Sequence, residues 1–321
     1  MPFLFVAPRS AELTHAVSKT FLRTVGALAV IAIAQFAIQI LGGPFIDVFS
    51  LISKEVVIPG YVHRARLDIA GFEGYLIRSN GMFFLEPSIA SQFFALAAIL
   101  ALRIAPASVP LFIAALLFTG SGTGIIALAV GVLGIAITGT SKERVLSVLA
   151  ASLGLAVLTF TGLLLAFFSR TSEFQTEGSS ASFRFLDPWE HVAKFMLDFP
   201  AAIMTGYGPG GASLTAVTYG TGVNYTFTPK LVIEYGIVVG LGCTMAMLLF
   251  VMKSTDLPLA GRLVILAMTF ALSGALGQPA SAILVWCFCQ PQSHLKTPRA
   301  TRWDPLFPRS LPTLEASPKR W

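Results

Sequence analysis

Two groups of residues in this chain have the types and spacing to do chemistry. The first is Arg78 followed by Glu86-Pro87-Ser88. Pro87 suits the first turn of a helix, and Ser88, Ser91 and Gln92 then fall near one another on its surface. A helix N-terminus with an arginine just before it makes an anion site. The same residues admit a plainer reading, in which Arg78 snorkels at an interface and Glu86 caps the helix.

The second group lies in one long polar stretch, Arg170 to Lys230, between two strongly apolar segments. Arg184, His191 and Lys194 form its cationic edge. Either they grip an anionic head group, or they are solvated side chains of an interfacial helix. Next comes Thr205-Gly-Tyr-Gly-Pro-Gly-Gly211, which satisfies G-x-G-x-x-G in letter only. No strand leads in and no βαβ unit surrounds it, so a dinucleotide site is excluded. Gly206, Gly208 and Gly210 predict a tight turn whose backbone approaches a ligand or the membrane. Glu234 follows, about one turn inside the next apolar segment. An ionisable residue there is a functional candidate by default. The formal sequon Asn224-Tyr225-Thr226 reads as chance.

These residues must be positioned by a membrane scaffold. Mean hydropathy is +0.76, 55% of residues are apolar and 12% are charged. A soluble domain of 321 residues has no use for so much apolar surface; a chain in lipid does. The net charge of +6 and pI near 9.4 come from short basic patches between apolar runs and from the C-terminal tail. That is positive-inside patterning, and no nucleic-acid partner is expected. Cys243, Cys287 and Cys289 lack zinc-ligand spacing and read as small buried hydrophobes. No metal and no cofactor is expected.

The expected fold is all-α: a polytopic transmembrane helix bundle of about seven to eight spans with one large extracytoplasmic loop. Residues 1–290 form the membrane domain, with the periplasmic loop over 169–229. Residues 291–321 form a basic, proline-rich tail, disordered and cytoplasmic. The spans are Thr24–Gly42, Ser88–Leu102, Pro106–Thr119, Ile125–Thr138, Val145–Phe168 and Lys230–Met252, with Leu263–Gln290 a hairpin broken at Gly274–Pro279. An even number of crossings keeps both termini in the cytoplasm. Gln35 and Gln39 lie one turn apart and point into the bundle as helix–helix glue. The first outside loop, 44–85, carries His63, Arg64, Arg66, Asp68 and Glu73. Within the large loop, Asp187-Pro188-Trp189-Glu190 predicts a helix with Asp187 as N-cap. Trp189, Val192, Met196 and Phe199 share its apolar face, Pro200 ends it, and Glu190 and Lys194 pair on the other face.

Three stretches resemble the O-antigen ligase and O-antigen polymerase family of bacterial polytopic glycosyltransferases. They are Arg78-x-x-Gly81-x-Phe83-x-x-Glu86-Pro87-Ser88, the polar break Ser121-Gly-Thr-Gly124, and Phe183-Arg184 through Trp189, Pro200 and Gly206-Tyr-Gly208-x-Gly210 to Glu234-x-Gly236-x-x-x-Gly240. Together they cover about residues 70–245. The resemblance implies transfer of a glycan from an undecaprenyl-diphosphate carrier on the outer face of the inner membrane to a glycan or lipid acceptor. It implies Arg78 and Arg184 as diphosphate ligands, which suits the fixed, always-charged guanidinium fork. Glu86 or Glu234 would serve as base. Trp189, His191, Gly206, Gly208 and Gly210 belong to the substrate loop. Membrane lipid and other polysaccharide-assembly proteins are the expected partners. Three departures stand out: Asn224-Tyr225-Thr226 where many members carry a histidine, Thr123 where the polar break often holds an arginine, and fewer N-terminal spans. The rival readings are a transporter for a lipid-linked or anionic solute, and a non-catalytic assembly subunit.

Overall fold

The computed structural model describes residues 11–48, 66–67, 76–160, 182–219, 225–254, 257–272, 285 and 288–289. Its helices are α1 Ala11–Ile40, α2 Pro87–Ile104, α3 Val109–Phe118, α4 Gly122–Thr138 and α5 Ser141–Phe160, then α6 Ser182–Phe185, α7 Asp187–Asp198, α8 Gly211–Thr218, α9 Phe227–Lys253 and α10 Leu259–Ala267. One short antiparallel ribbon pairs β1, Arg66–Leu67, with β2, Leu76–Ile77. Among the described residues, three segments are long and apolar enough, by length and composition, to cross a membrane: Thr14–Ile40, Pro87–Ile104 and Phe227–Lys253. Shorter apolar helices lie at Pro106–Phe118, Gly122–Thr138 and Leu259–Leu272. His63, Arg64, Asp68 and Glu73, the start of the large loop, the turn at Gly274–Pro279 and the tail lie outside the described residues.

The first helix starts at Ala11 rather than Thr24. The apolar pattern marks only the part suited to lipid, whereas Ala11, Glu12 and Leu13 are good helix formers in any solvent. The second helix is the hub. It is buried on every face, with Phe94, Ala95, Leu96 and Ala97 wholly enclosed, and packs against α1, α3, α4, α5 and α10. A helix apolar all round belongs at the centre. Close approach of α4 depends on glycine: a Cβ at Gly124 would lie 2.4 Å from the Ser91 Cβ. At the far end of α2, Arg103 meets Glu143 at 2.5 Å. Thr140 and Glu143 form a reciprocal capping box at the start of α5.

Gln35 and Gln39 do point inward, but they tie a helix to a loop rather than to another helix. Gln35 Oε1 accepts from the Ser79 hydroxyl at 2.7 Å and from the Asn80 and Gly81 N–H groups. Gln39 both donates to and accepts from the backbone of Ile77. The irregular segment 77–84 thus has its polar backbone satisfied inside an apolar bundle, as burial demands.

The helix α9 is not one straight crossing over Lys230–Met252. Gly236 has φ 79° and ψ 170°, a region open to glycine alone. The Thr244 hydroxyl lies 3.3 Å from that of Thr228, and a Cβ at Gly240 would lie 2.8 Å from the Val232 Cα. In a straight helix Thr228 and Thr244 would be ~24 Å apart. The chain therefore reverses at Gly236, and its two arms pack antiparallel. Gly236, Gly240 and Thr244 recur every four residues, and this small-residue stripe lets the arms touch. Composition misses the reversal because both arms are apolar.

Candidate functional site

The Arg184 side chain reaches from α6 to the N-terminus of α2. Its Nη2 donates to Glu86 Oε2 at 2.9 Å and to Ser88 Oγ at 3.3 Å. The Ser88 hydroxyl in turn donates to the same Glu86 oxygen at 2.6 Å. The two charged side chains are 14% and 23% exposed, so this is a partly buried, charge-assisted triangle. Such bonds contribute about 1.5–3 kcal/mol each. Glu86 is the N-cap of α2 by backbone position, yet its carboxylate makes no capping bond. The plainer reading, in which the Glu86 side chain caps the helix, is therefore corrected: the carboxylate is drawn to Arg184 instead.

Behind Ser88 lies a band of hydroxyls. Ser91 Oγ and Thr123 Oγ1 both donate to the Ser88 carbonyl, and Ser121 Oγ is 2.9 Å from Thr123 Oγ1. The polar break before α4 thus serves the same corner of the bundle as the start of α2. Arg78 is half-buried just after β2, and its neighbour Ser79 is pinned to the Ala32 and Phe118 regions. Seven residues, 79–85, then separate Arg78 from Glu86.

The glycine loop closes on a different target. Gly206, Gly208 and Gly210 all have positive φ, as a tight turn requires. What their backbone approaches is the reversal of α9. Tyr207 and Gly208 N–H groups donate to the Ile233 and Glu234 carbonyls, and Ile237 N–H donates to the Ile203 carbonyl. A Cβ at Gly206 would lie 2.4 Å from the Glu234 carbonyl carbon. The carbonyls orphaned where the first arm ends are thereby satisfied. Glu234 itself is 5% exposed, and its Oε1 accepts from Gly210 N–H at 3.2 Å, at the N-terminus of α8. A carboxylate there is favoured by the helix dipole.

On α7 the buried face is Pro188, His191, Val192 and Phe195. Val192 and Phe195 of that face build a small separate core with Ala212 and Tyr225 of the loop and Val232 and Ile233 of the first arm of α9. His191 was expected on a polar edge; it is 2% exposed, with Nδ1 2.6 Å from the Tyr225 hydroxyl. Burial holds its pKa below the ordinary value, with Lys194 adding to the effect. Burial pushes the Tyr225 phenol up. Tyr219 stacks edge-on against His191 and donates to Asp198 at 2.7 Å. Burial first, and that bond second, push its pKa up to about 12. Trp189, expected on one apolar face with Val192, Met196 and Phe199, is 50% exposed, whereas Val192 is buried. The buried face is shared with His191, whose partner is Tyr225. The N-cap also shifts, because Asp187 lies within the helix and accepts from the Ser182 hydroxyl at 2.5 Å.

The structure thus joins Arg184 to Glu86, and separately joins Glu234 to Gly206, Gly208 and Gly210. Tyr225 and Ser88 are the residues whose roles sequence reasoning missed. Nothing local marks Tyr225 as the partner of a histidine 34 residues away. No curated protein and no solved structure matches the chain significantly. A family model described as WcaD colanic acid polymerase matches residues 3–291, and with nearly the whole length covered the chain belongs to that family.

Proposed function

We propose that this protein lengthens an exopolysaccharide by taking glycan from an undecaprenyl-diphosphate carrier at the outer face of the inner membrane. Family membership makes it a polysaccharide-polymerising membrane glycosyltransferase, so of the two activities that the resemblance implied, polymerisation is the one retained. The carrier, the face of the membrane and the residue roles are this proposal's own. The proposal puts both termini in the cytoplasm and the exposed Trp189 and Leu197 in the lipid head groups, where tryptophan is favoured.

The observation that carries the reading is Arg184 held with Ser88 at the first turn of α2. A guanidinium, a hydroxyl and a helix N-terminus converge there, and all three favour an anion. In the reaction the acceptor oxygen bonds the anomeric carbon and gives its proton to Glu86. The bond from that carbon to the diphosphate breaks, and its electron pair leaves with the diphosphate. Arg184, with Arg78 as second cation, neutralises the charge that develops, which is the main catalytic contribution. Glu234 is assigned to positioning instead, since its carboxylate is engaged by the glycine loop. Membrane lipid, a glycan acceptor and other assembly proteins are the partners.

The test is Arg184→Ala and Arg184→Lys, with surface-glycan length read on a gel. Both should shorten or abolish the ladder, since lysine lacks the bidentate fork. A wild-type ladder from both variants would remove the diphosphate role.

A further inference from the structure

The oxygen of Glu86 that faces Arg184 receives two donors at once, the guanidinium at 2.9 Å and the Ser88 hydroxyl at 2.6 Å. This is the bonding a phosphate oxygen would receive at the same point. A phosphate oxygen is an anionic acceptor of similar size, and arginine binds carboxylate and phosphate through the same fork. While that oxygen holds the two donors, they are closed to a phosphate oxygen. The base and the diphosphate ligand therefore compete for one set of donors.

We propose that Glu86 is a place-holder on Arg184. It keeps the two donors occupied until the carrier diphosphate arrives, and a phosphate oxygen then displaces it. The freed carboxylate turns to the acceptor hydroxyl and takes its proton as the glycosidic bond forms. Glu86 then gives that proton to water, and as a carboxylate it competes again for Arg184 and displaces the spent carrier. The contact keeps the carboxylate on Arg184, away from the acceptor, until donor substrate is seated. Ser88 stays with whichever anion is bound, and so becomes a substrate ligand in its own right.

This rests on the reading of Arg184 as the diphosphate ligand, and the experiment separates the two. Undecaprenyl diphosphate binding is measured in nanodiscs for the wild type, Glu86→Gln, Glu86→Asp and Arg184→Ala, alongside initial polymerisation rates at saturating donor. Size-exclusion elution and helical content are checked for each. Losing a competing carboxylate of this exposure should tighten binding by roughly fivefold. Glu86→Gln should bind more tightly yet turn over much more slowly. Glu86→Asp, one methylene shorter, should also bind more tightly while keeping part of its turnover. A merely structural Glu86 would not drive affinity and rate in opposite directions. If neither Glu86 variant binds more tightly than wild type, the place-holder idea is wrong. If Arg184→Ala binds the carrier as well as wild type, it is the assignment of Arg184 that fails.

Discussion

Thr244 donates to Thr228 across 3.3 Å, although sixteen positions separate them within a run that is helical on both sides. The contact exists because Gly236 reverses the chain and Gly240 lets the second arm lie on the backbone of Leu231 and Val232. The reversal presents the Ile233 and Glu234 carbonyls to the glycine loop. A large polar stretch and an apolar hairpin are thereby welded at one point.

Cysteine pairing tests the reversal directly. With Cys243, Cys287 and Cys289 changed to alanine, Thr228→Cys and Thr244→Cys together should form an intramolecular disulfide under mild oxidation. Disulfides need Cα atoms within about 7 Å, which a straight helix of this length denies. Faster gel migration that reverts on reduction is the expected result. Failure to crosslink, with each single variant still labelled by a maleimide, would restore the continuous helix.

Most of the helical framework was legible in the chain. The starts of α2, α7 and the polar break before α4 follow from proline placement, capping chemistry and hydropathy, all of them local. Arg184 and Glu86 were legible as separate candidates, but their union across 98 residues was not. Two features hid completely. Reversal at Gly236 hid because an apolar hairpin and an apolar span have the same composition. The inward turn of His191 hid because a histidine fits either edge of an amphipathic helix, and Tyr225, its partner, lies far along the chain.

Glu234 offers a sharp contrast between holding and reacting. Its carboxylate accepts from Gly210 N–H, a role a glutamine carbonyl can also fill. Glu234→Gln should therefore keep most of the polymer ladder, whereas Glu234→Ala removes that hydrogen bond and should cost about 0.5–1.5 kcal/mol, since the exposed Gly210 N–H can turn to water. Gly206→Ala should cost at least as much, since its Cβ would strike the Glu234 backbone and its φ is +70°. Thermal midpoints in detergent, read beside ladder length, decide it. An inactive Glu234→Gln with a wild-type midpoint would return Glu234 to the chemistry.

His191 makes the small core at Val192 and Phe195 sensitive to acid. Burial, then Lys194, hold its pKa below the ordinary 6.5, while Asp187 and Glu190 pull weakly the other way. Tyr225 and Tyr219 face it from the neighbouring segments, and Asp198 stands behind Tyr219. The unfolded chain thus binds a proton at a pH where the folded chain does not. The associated stability is fully present above about pH 6.5 and is lost as pH falls through the depressed folded value. The thermal midpoint of the wild type should fall between neutral pH and pH 5, and His191→Phe should flatten that slope while losing the Tyr225 bond. Each depressed unit is worth about 1.4 kcal/mol, enough to be seen as a shift of a few degrees. Parallel pH profiles for wild type and variant would show that the ring titrates alike in both states, and that its burial carries no linked proton.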